Sequence, residues 1–197
     1  MIKLLWNLLA LLGLAVVALL IMAVVTVGPS SVTQLADFDR EALSTYGDIA
    51  RELVITGNSA DATVWKIPVK DGLTAEEVED TMRFVANDHN IKNVGELPLY
   101  KEVEAMSGKP FRFMKVYMFC NAMTAARMLE ASDAFAAYLP CRIAMVEDKT
   151  GKLWLYTLNM DLMIHGGKTL PPELKDEAMQ VKETILDIMK RGASGDF

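Results

Sequence analysis

Hydrophobic positions are distributed unevenly along the chain, and the first block of them is a continuous run. Between residues 4 and 27 the only appreciably polar side chains are Asn7 and Thr26. As a helix rising 1.5 Å per residue, this run is about 36 Å long and can cross a hydrocarbon core of about 30 Å with some tilt. We predict a transmembrane anchor over residues 1–28 that contacts the lipid bilayer through residues 4–27.

A cleaved secretory signal peptide is the alternative for this run, because it too begins with a basic residue and an apolar stretch. Its apolar part is usually about 7 to 15 residues long, and no clean Ala-x-Ala site precedes Gly28-Pro29-Ser30-Ser31. Lys3 precedes the run, and the next basic residue is Arg40. The positive-inside rule therefore predicts a single-pass protein of the inner (cytoplasmic) membrane, with its C-terminal domain in the periplasm or outside.

After the Gly-Pro-Ser-Ser break, apolar residues recur at an approximately helical spacing up to Gly57, a plausible helix stop. We predict a connecting amphipathic helix within residues 29–58. Its apolar stripe adjoins the membrane and must be covered, either by the rest of the chain or by a partner. The stripe consists of Leu35, Phe38, Leu43, Tyr46, Ile49, Ala50 and Leu53.

Residues 59–197 alternate between short β-type patterns and helical patterns. The capping box Thr74–Glu77 predicts the start of a helix, and residues 148–151 indicate a hairpin turn between the last two strands. Pro172 opens a final helix whose predicted stop is Gly192. Strands are predicted at 62–68, 91–97, 111–119, 142–147 and 152–158, and helices at about 74–89, 100–106, 121–130 and 171–191.

The excess of acidic over basic residues in the chain limits the kinds of partner that it can bind. The chain carries 20 Lys and Arg residues against 26 Asp and Glu residues, and the basic residues are scattered singly. Nucleic-acid binders usually need a basic face to displace counterions from phosphates. We therefore expect no nucleic-acid partner.

Cys120 and Cys141 are the only cysteines. In an oxidising compartment such a pair favours a disulfide, although two buried, unreactive thiols or a redox or metal site also fit the sequence. Cys120 lies where a strand meets the start of a helix, whose dipole is expected to lower the pKa of a thiol. The chain between the two cysteines is expected to leave the sheet as a helix and to return to the same edge. We therefore expect their Cα atoms to lie within about 10 Å of each other.

Cys120, Asn121, Cys141 and His165 are the candidate residues for a ligand or redox site. Methionines crowd the same segment, and thioether with thiolate or imidazole is the ligand set that copper(I) prefers. Cys120, Met123, Cys141 and His165 are therefore candidate copper ligands, although no cofactor is predicted. The competing interpretation is that Met114 and Met118 are core residues, because they share one strand face with Val116.

No motif for a common catalytic or metal site accompanies these residues. His165 precedes Gly166-Gly167, and His89 ends the capped helix, where a histidine is usually structural. The sequence contains no His-x-x-x-His, Cys-x-x-Cys, Gly-x-Ser-x-Gly or phosphate-binding glycine loop. An enzyme is therefore the less favoured class, since it would need residues that only folding brings together.

In the segment from residue 110 to residue 167, Cys120-Asn121 ends a predicted strand, Leu139-Pro140-Cys141 follows the next predicted helix, and the run 147–154 forms the hairpin. In their order and spacing these motifs resemble family three hundred and two of the domains of unknown function. Where family members often have Asn-Pro, this chain has Asn121-Ala122 and Asn159-Met160. The resemblance implies an α+β fold, a two-layer domain with helices on a curved, mostly antiparallel sheet, often found as a dimer. It implies no established activity.

Together these observations favour a membrane-anchored, extracytoplasmic, non-catalytic binding or accessory subunit. A homodimer or a subunit of a membrane complex is the expected assembly. The alternative function is a periplasmic thiol-redox or copper-binding protein that uses Cys120 and Cys141.

Overall fold

The computed structural model describes residues 2–28 and 33–197. Helix α1 (Ile2–Val27) is the predicted apolar helix, and none of its most apolar window is buried against the rest of the chain. Within the described residues, it is the one helix long and apolar enough to cross a membrane. The predicted break begins at Gly28, but Pro29, Ser30 and Ser31 lie outside the described residues, as does Met1.

The connecting segment contains a 3-10 turn (Leu35–Asp37) and helix α2 (Ala42–Thr56). The predicted stop at Gly57 is confirmed, because this residue has the left-handed φ of 65° that favours glycine. The helix begins only at Ala42, since Phe38 is extended and pairs with Lys168. Much of the predicted apolar stripe remains exposed, and Leu43 is 85% exposed.

Five strands of the described chain form one antiparallel sheet in the order β1-β5-β4-β3-β2. Strands β2 to β5 follow one another across the sheet, and β1 joins it beside β5. This confirms the predicted α+β class. The strands are β1 (Val64–Pro68), β2 (Lys92–Leu97), β3 (Met114–Cys120), β4 (Cys141–Glu147) and β5 (Leu153–Leu158).

Six further helices accompany the sheet in the described residues. The capping box is confirmed, with the Thr74 hydroxyl accepting from the Glu77 backbone and the Glu77 side chain accepting from the Thr74 backbone. Short segments at Ser59–Ala62, Asp133–Ala137 and Asp161–His165 were not predicted. The helices are α3 (Ser59–Ala62), α4 (Ala75–Asp88), α5 (Leu99–Ser107), α6 (Ala122–Ala131), α7 (Asp161–His165) and α8 (Pro172–Ser194).

Helices α4 and α8 pack against each other and cover one face of the sheet. The predicted stop of α8 at Gly192 is wrong, because the helix continues to Ser194 and Gly195 takes the left-handed φ of 76°. Gly192 instead permits close packing, since a Cβ there would lie 2.6 Å from Cγ of Met82 on α4.

The core lies between these helices and what we call the inner sheet face. Side chains on this face alternate along the strands with those on the opposite, outer sheet face. The inner face and the helices contribute the fully buried Tyr117, Phe119, Ile143, Met145, Leu155, Met82, Val85, Ile185, Ile188 and Met189.

Candidate functional site

The two cysteines lie at the same end of neighbouring strands. Cys120 ends β3 and Cys141 begins β4, where it pairs with Phe119. Consecutive Cα atoms are about 3.8 Å apart and antiparallel partners at most about 5.5 Å, so the Cα atoms of Cys120 and Cys141 are at most about 9.3 Å apart. The predicted shared edge is confirmed. Both thiols are free in this structure.

A small apolar cavity of about 20 Å³ lies between these strands and the neighbouring helices. This volume is about that of one water molecule. Cys120, Asn121 and Cys141 line it together with Met160 and Met163. The structure thus brings together three of the predicted site residues. Met123 is 66% exposed and does not line the cavity, and His165 lies elsewhere.

The expected lowering of the pKa of Cys120 is wrong. Burial raises the pKa of the Cys120 thiol. Burial, and next the neighbouring Cys120, raise the pKa of Cys141 to about 11. The first amides of α6 do not favour a thiolate here, because Oδ1 of Asn121 accepts from the backbone amides of Met123 and Thr124 at 3.1 and 3.2 Å. Asn121 is therefore a helix cap.

His165 lies in a separate polar cluster at the junction of the connecting segment and the domain. Its Nδ1 is 3.1 Å from Oδ1 of Asp39, and both side chains are 1% exposed. Asp39 also accepts from Nζ of Lys175 at 2.5 Å and from the Glu41 amide at 3.0 Å. The backbone reinforces this junction, because the Asp39 amide donates to the Gly167 carbonyl at 2.8 Å.

The surroundings of Asp39 favour the ionised form of its carboxyl group. Burial acts to raise its pKa, but hydrogen bonds from Lys175, the Glu41 backbone and His165 outweigh burial and lower the pKa below its ordinary value. Nδ1 of His165 is the ring nitrogen that faces this carboxylate. Nε2 of His165 faces Oε2 of Glu41 at 3.5 Å and Oδ1 of Asp161 at 3.9 Å, with no hydrogen-bond partner.

Sequence reasoning found His165 but missed Asp39, Glu41 and Asp161. The spacing Asp161-x-x-x-His165 places two polar side chains on one face of a helix and was a usable signal. No local signal relates Asp39 to His165, which lie 126 positions apart.

The outer sheet face is an apolar surface that the helix pair α4 and α8 leaves uncovered. Cross-strand pairing places Val116, Ala144 and Tyr156 in one row. The adjacent row contains Met114, Val146 and Trp154, and all six side chains are only half-buried. Met114 and Met118 therefore belong to this outer face, and their predicted role as core residues is wrong. Tyr117 and Phe119, at the alternate positions, fill the core.

These features define a class of protein, a two-layer α+β domain whose antiparallel sheet has one helix-covered face and one open face. The chain belongs to the family of the domain of unknown function DUF302, whose model matches residues 65–192. This confirms the resemblance that the cysteine segment indicated.

Known relatives agree with this assignment. An uncharacterized protein of Aquifex aeolicus (strain VF5) is 24% identical over 126 residues, which are 64% of this chain and 81% of the relative. The crystal structure of an uncharacterized conserved DUF302 protein from Bacillus stearothermophilus superposes with a TM-score of 0.54 at 14% identity. The superposition covers 66% of this chain and 97% of that chain, and it shows the shared fold.

Proposed function

We propose that this chain is a membrane-tethered, non-catalytic binding module outside the cytoplasm, and that it binds a second copy of itself through the outer sheet face. The observation that carries the proposal is the composition of that face. An antiparallel sheet with one face toward water usually presents polar side chains there. This sheet instead presents Met114, Val116, Val146, Trp154 and Tyr156.

Apolar surfaces of this kind mark interaction sites in soluble domains. Methionine and aromatic side chains, which are enriched in protein interfaces, are prominent on this one. Trp154 is held in place, because its Nε1 donates to Oδ2 of Asp148 at 2.9 Å. A fixed aromatic side chain loses little conformational entropy on binding, which favours its use as an anchor in an interface.

A second copy of the chain is the partner that this surface fits. A two-fold contact sets the same patch against itself, so the patch must be self-complementary. On β3, β4 and β5 the two central rows carry no charge, while Lys66 continues one row on β1 and Arg142 lies one pair away on β4. Stacking the central rows about 10 Å apart, as sheets do, would bury no unpaired ion as long as these two basic residues lie at the rim of the contact. Helix α1 would confine two copies to one membrane, which raises their effective concentration.

The use of Cys120 and Cys141 as a redox or copper site has less support. The thiolate is the form that attacks disulfides and binds metals. Burial disfavours that form at both residues, because it raises both pKa values. Two neutral thiols in a small apolar cavity behave as packing side chains.

Ala144→Glu tests the interface, because Ala144 lies on the central strand of the outer face. The matched control is Met106→Glu, which adds the same charge at a position on α5 that is 88% exposed. Light scattering of the full chain in detergent should give a dimer for the wild type and for Met106→Glu. Ala144→Glu should weaken association at least about 100-fold, because a buried unpaired carboxylate costs several kcal/mol.

Thermal unfolding of both variants checks that they remain folded. A monomeric wild type, or an Ala144→Glu variant that associates as tightly as Met106→Glu, would contradict the proposed interface.

A further inference from the structure

Nε2 of His165 is the most unusual polar atom in the described part of the chain. The His165 side chain is 1% exposed, and its Nε2 is the one buried side-chain nitrogen or oxygen there without a hydrogen-bond partner. Buried polar atoms in folded proteins almost always have a partner, and each exception requires an explanation. Neither the proposed interface nor the cysteine cavity uses this atom.

The contact between Nδ1 and Asp39 orients the imidazole ring as in a histidine that binds a metal through Nε2. Nδ1 lies 3.1 Å from Oδ1 of Asp39, so Nε2 is the ring nitrogen that remains to bind a metal ion. Metal-binding histidines almost always donate their second ring N–H to a carboxylate or a carbonyl, which fixes the ring and the tautomer. Asp39 is itself held by Lys175 and by the Glu41 amide.

Two carboxylates face Nε2 of His165. Oε2 of Glu41 lies 3.5 Å from Nε2, and Oδ1 of Asp161 lies 3.9 Å from it. Ligands bound tetrahedrally at about 2.0 to 2.2 Å from a zinc ion are separated by about 3.3 to 3.6 Å. The separation of Nε2 from Glu41 lies within this range, whereas that from Asp161 exceeds it by about 0.3 Å, so Asp161 must move toward the ion to bind it. One imidazole and two carboxylates also leave a fourth position for water.

The charges around the site favour a cation. Asp39, Glu41 and Asp161 supply three negative charges, and Lys175 and Lys182 supply two positive charges. The carboxylates of the cluster therefore outnumber its ammonium groups by one. Lys182 donates to Oδ1 of Asp161 at 2.7 Å, but a carboxylate has about four acceptor positions, so this bond leaves capacity for a metal.

We propose that Nε2 of His165, Glu41 and Asp161 bind a divalent cation of the zinc class, with Asp39 as the residue that positions the imidazole. Imidazole and carboxylate are the donors that zinc accepts without a thiolate. Since Glu41 lies in the connecting segment and the other two ligands lie on α7, the cation joins that segment to the domain. This site does not depend on the proposed dimer.

The test is a calorimetric titration of Zn²⁺ into the full chain in detergent, purified without a polyhistidine tag and stripped with a chelator. We expect one Zn²⁺ per chain. Glu41→Gln should weaken binding at least about tenfold, since even residues behind the metal ligands contribute 10- to 100-fold. Glu41 is 64% exposed, so this variant should fold normally. Zn²⁺ should also slow amide hydrogen exchange at residues 39–45.

Matched controls come from the chain itself. Glu52→Gln removes another exposed carboxylate from the same segment, and His89→Gln removes the one other histidine. Both should bind Zn²⁺ as the wild type does, whereas His165→Gln should not. The proposal is overturned if the wild type binds no Zn²⁺ at a one-to-one ratio, or if Glu41→Gln and Glu52→Gln bind it equally.

Discussion

Burial opposes ionisation of a thiol, and this determines the chemistry available to Cys120 and Cys141. The sequence placed Cys120 correctly at the start of a helix, where a dipole is expected to stabilise a thiolate. The neighbouring Asn121 side chain occupies the first amides of α6 instead. That outcome depends on a rotamer and on packing, neither of which can be derived from the spacing of residues.

Alkylation kinetics test this assignment. In the wild type, the rate at which iodoacetamide modifies Cys141, measured by mass spectrometry of the peptide that contains it, should rise with pH up to about 11, since only the thiolate reacts and burial and Cys120 raise its pKa to about 11. At pH 8 the folded chain should react on the order of 100-fold more slowly than the same chain in urea, whose thiol pKa is about 8.5. Equal folded and unfolded rates at pH 8 would show an accessible thiolate.

At the scale of elements, the sequence predicted best where a pattern is long or a cap is specific. Thr74 and Glu77 identified the start of α4, and Gly57 identified the end of α2. Helix α7 was missed because five residues are little more than one helical turn, too few to show a period. Gly192 was wrongly predicted to end the helix, because the glycine is required there by the close contact with Met82 on α4.

A pair of glycine substitutions tests the packing of α8 on α4. Gly192→Ala should lower the free energy of unfolding by about 1 to 3 kcal/mol, because its new Cβ would clash with Cγ of Met82. Gly47→Ala, in the interior of α2 with no neighbouring atom within 4 Å, should instead raise it by up to about 1 kcal/mol. Urea unfolding of both variants in detergent measures the difference. If Gly192→Ala were stabilising too, the close helix contact would be refuted.

At the scale of the whole molecule, the sequence could not determine which face of the sheet is the core. Apolar residues occupy both faces of β3, so Val116 and Tyr117 are equally plausible core residues from the pattern alone. The register of the strands and the packing of helices α4 and α8 place Tyr117, and not Val116, in the core. The two apolar faces of β3 explain this ambiguity, and the face that is not the core is the one on which the proposed interface rests.

Labelling of one exposed position tests most directly the central claim, that α1 holds this domain outside the cytoplasm. Met106 is 88% exposed, so Met106→Cys supplies a reactive thiol in the full chain, and the wild type gives the background from Cys120 and Cys141. A membrane-impermeant maleimide should label Met106→Cys in intact spheroplasts of an expressing Gram-negative bacterium as fully as in lysed ones. The labelled chain should stay with the membranes after an alkaline carbonate wash. Labelling only after lysis, or a labelled chain in the soluble fraction, would contradict the account.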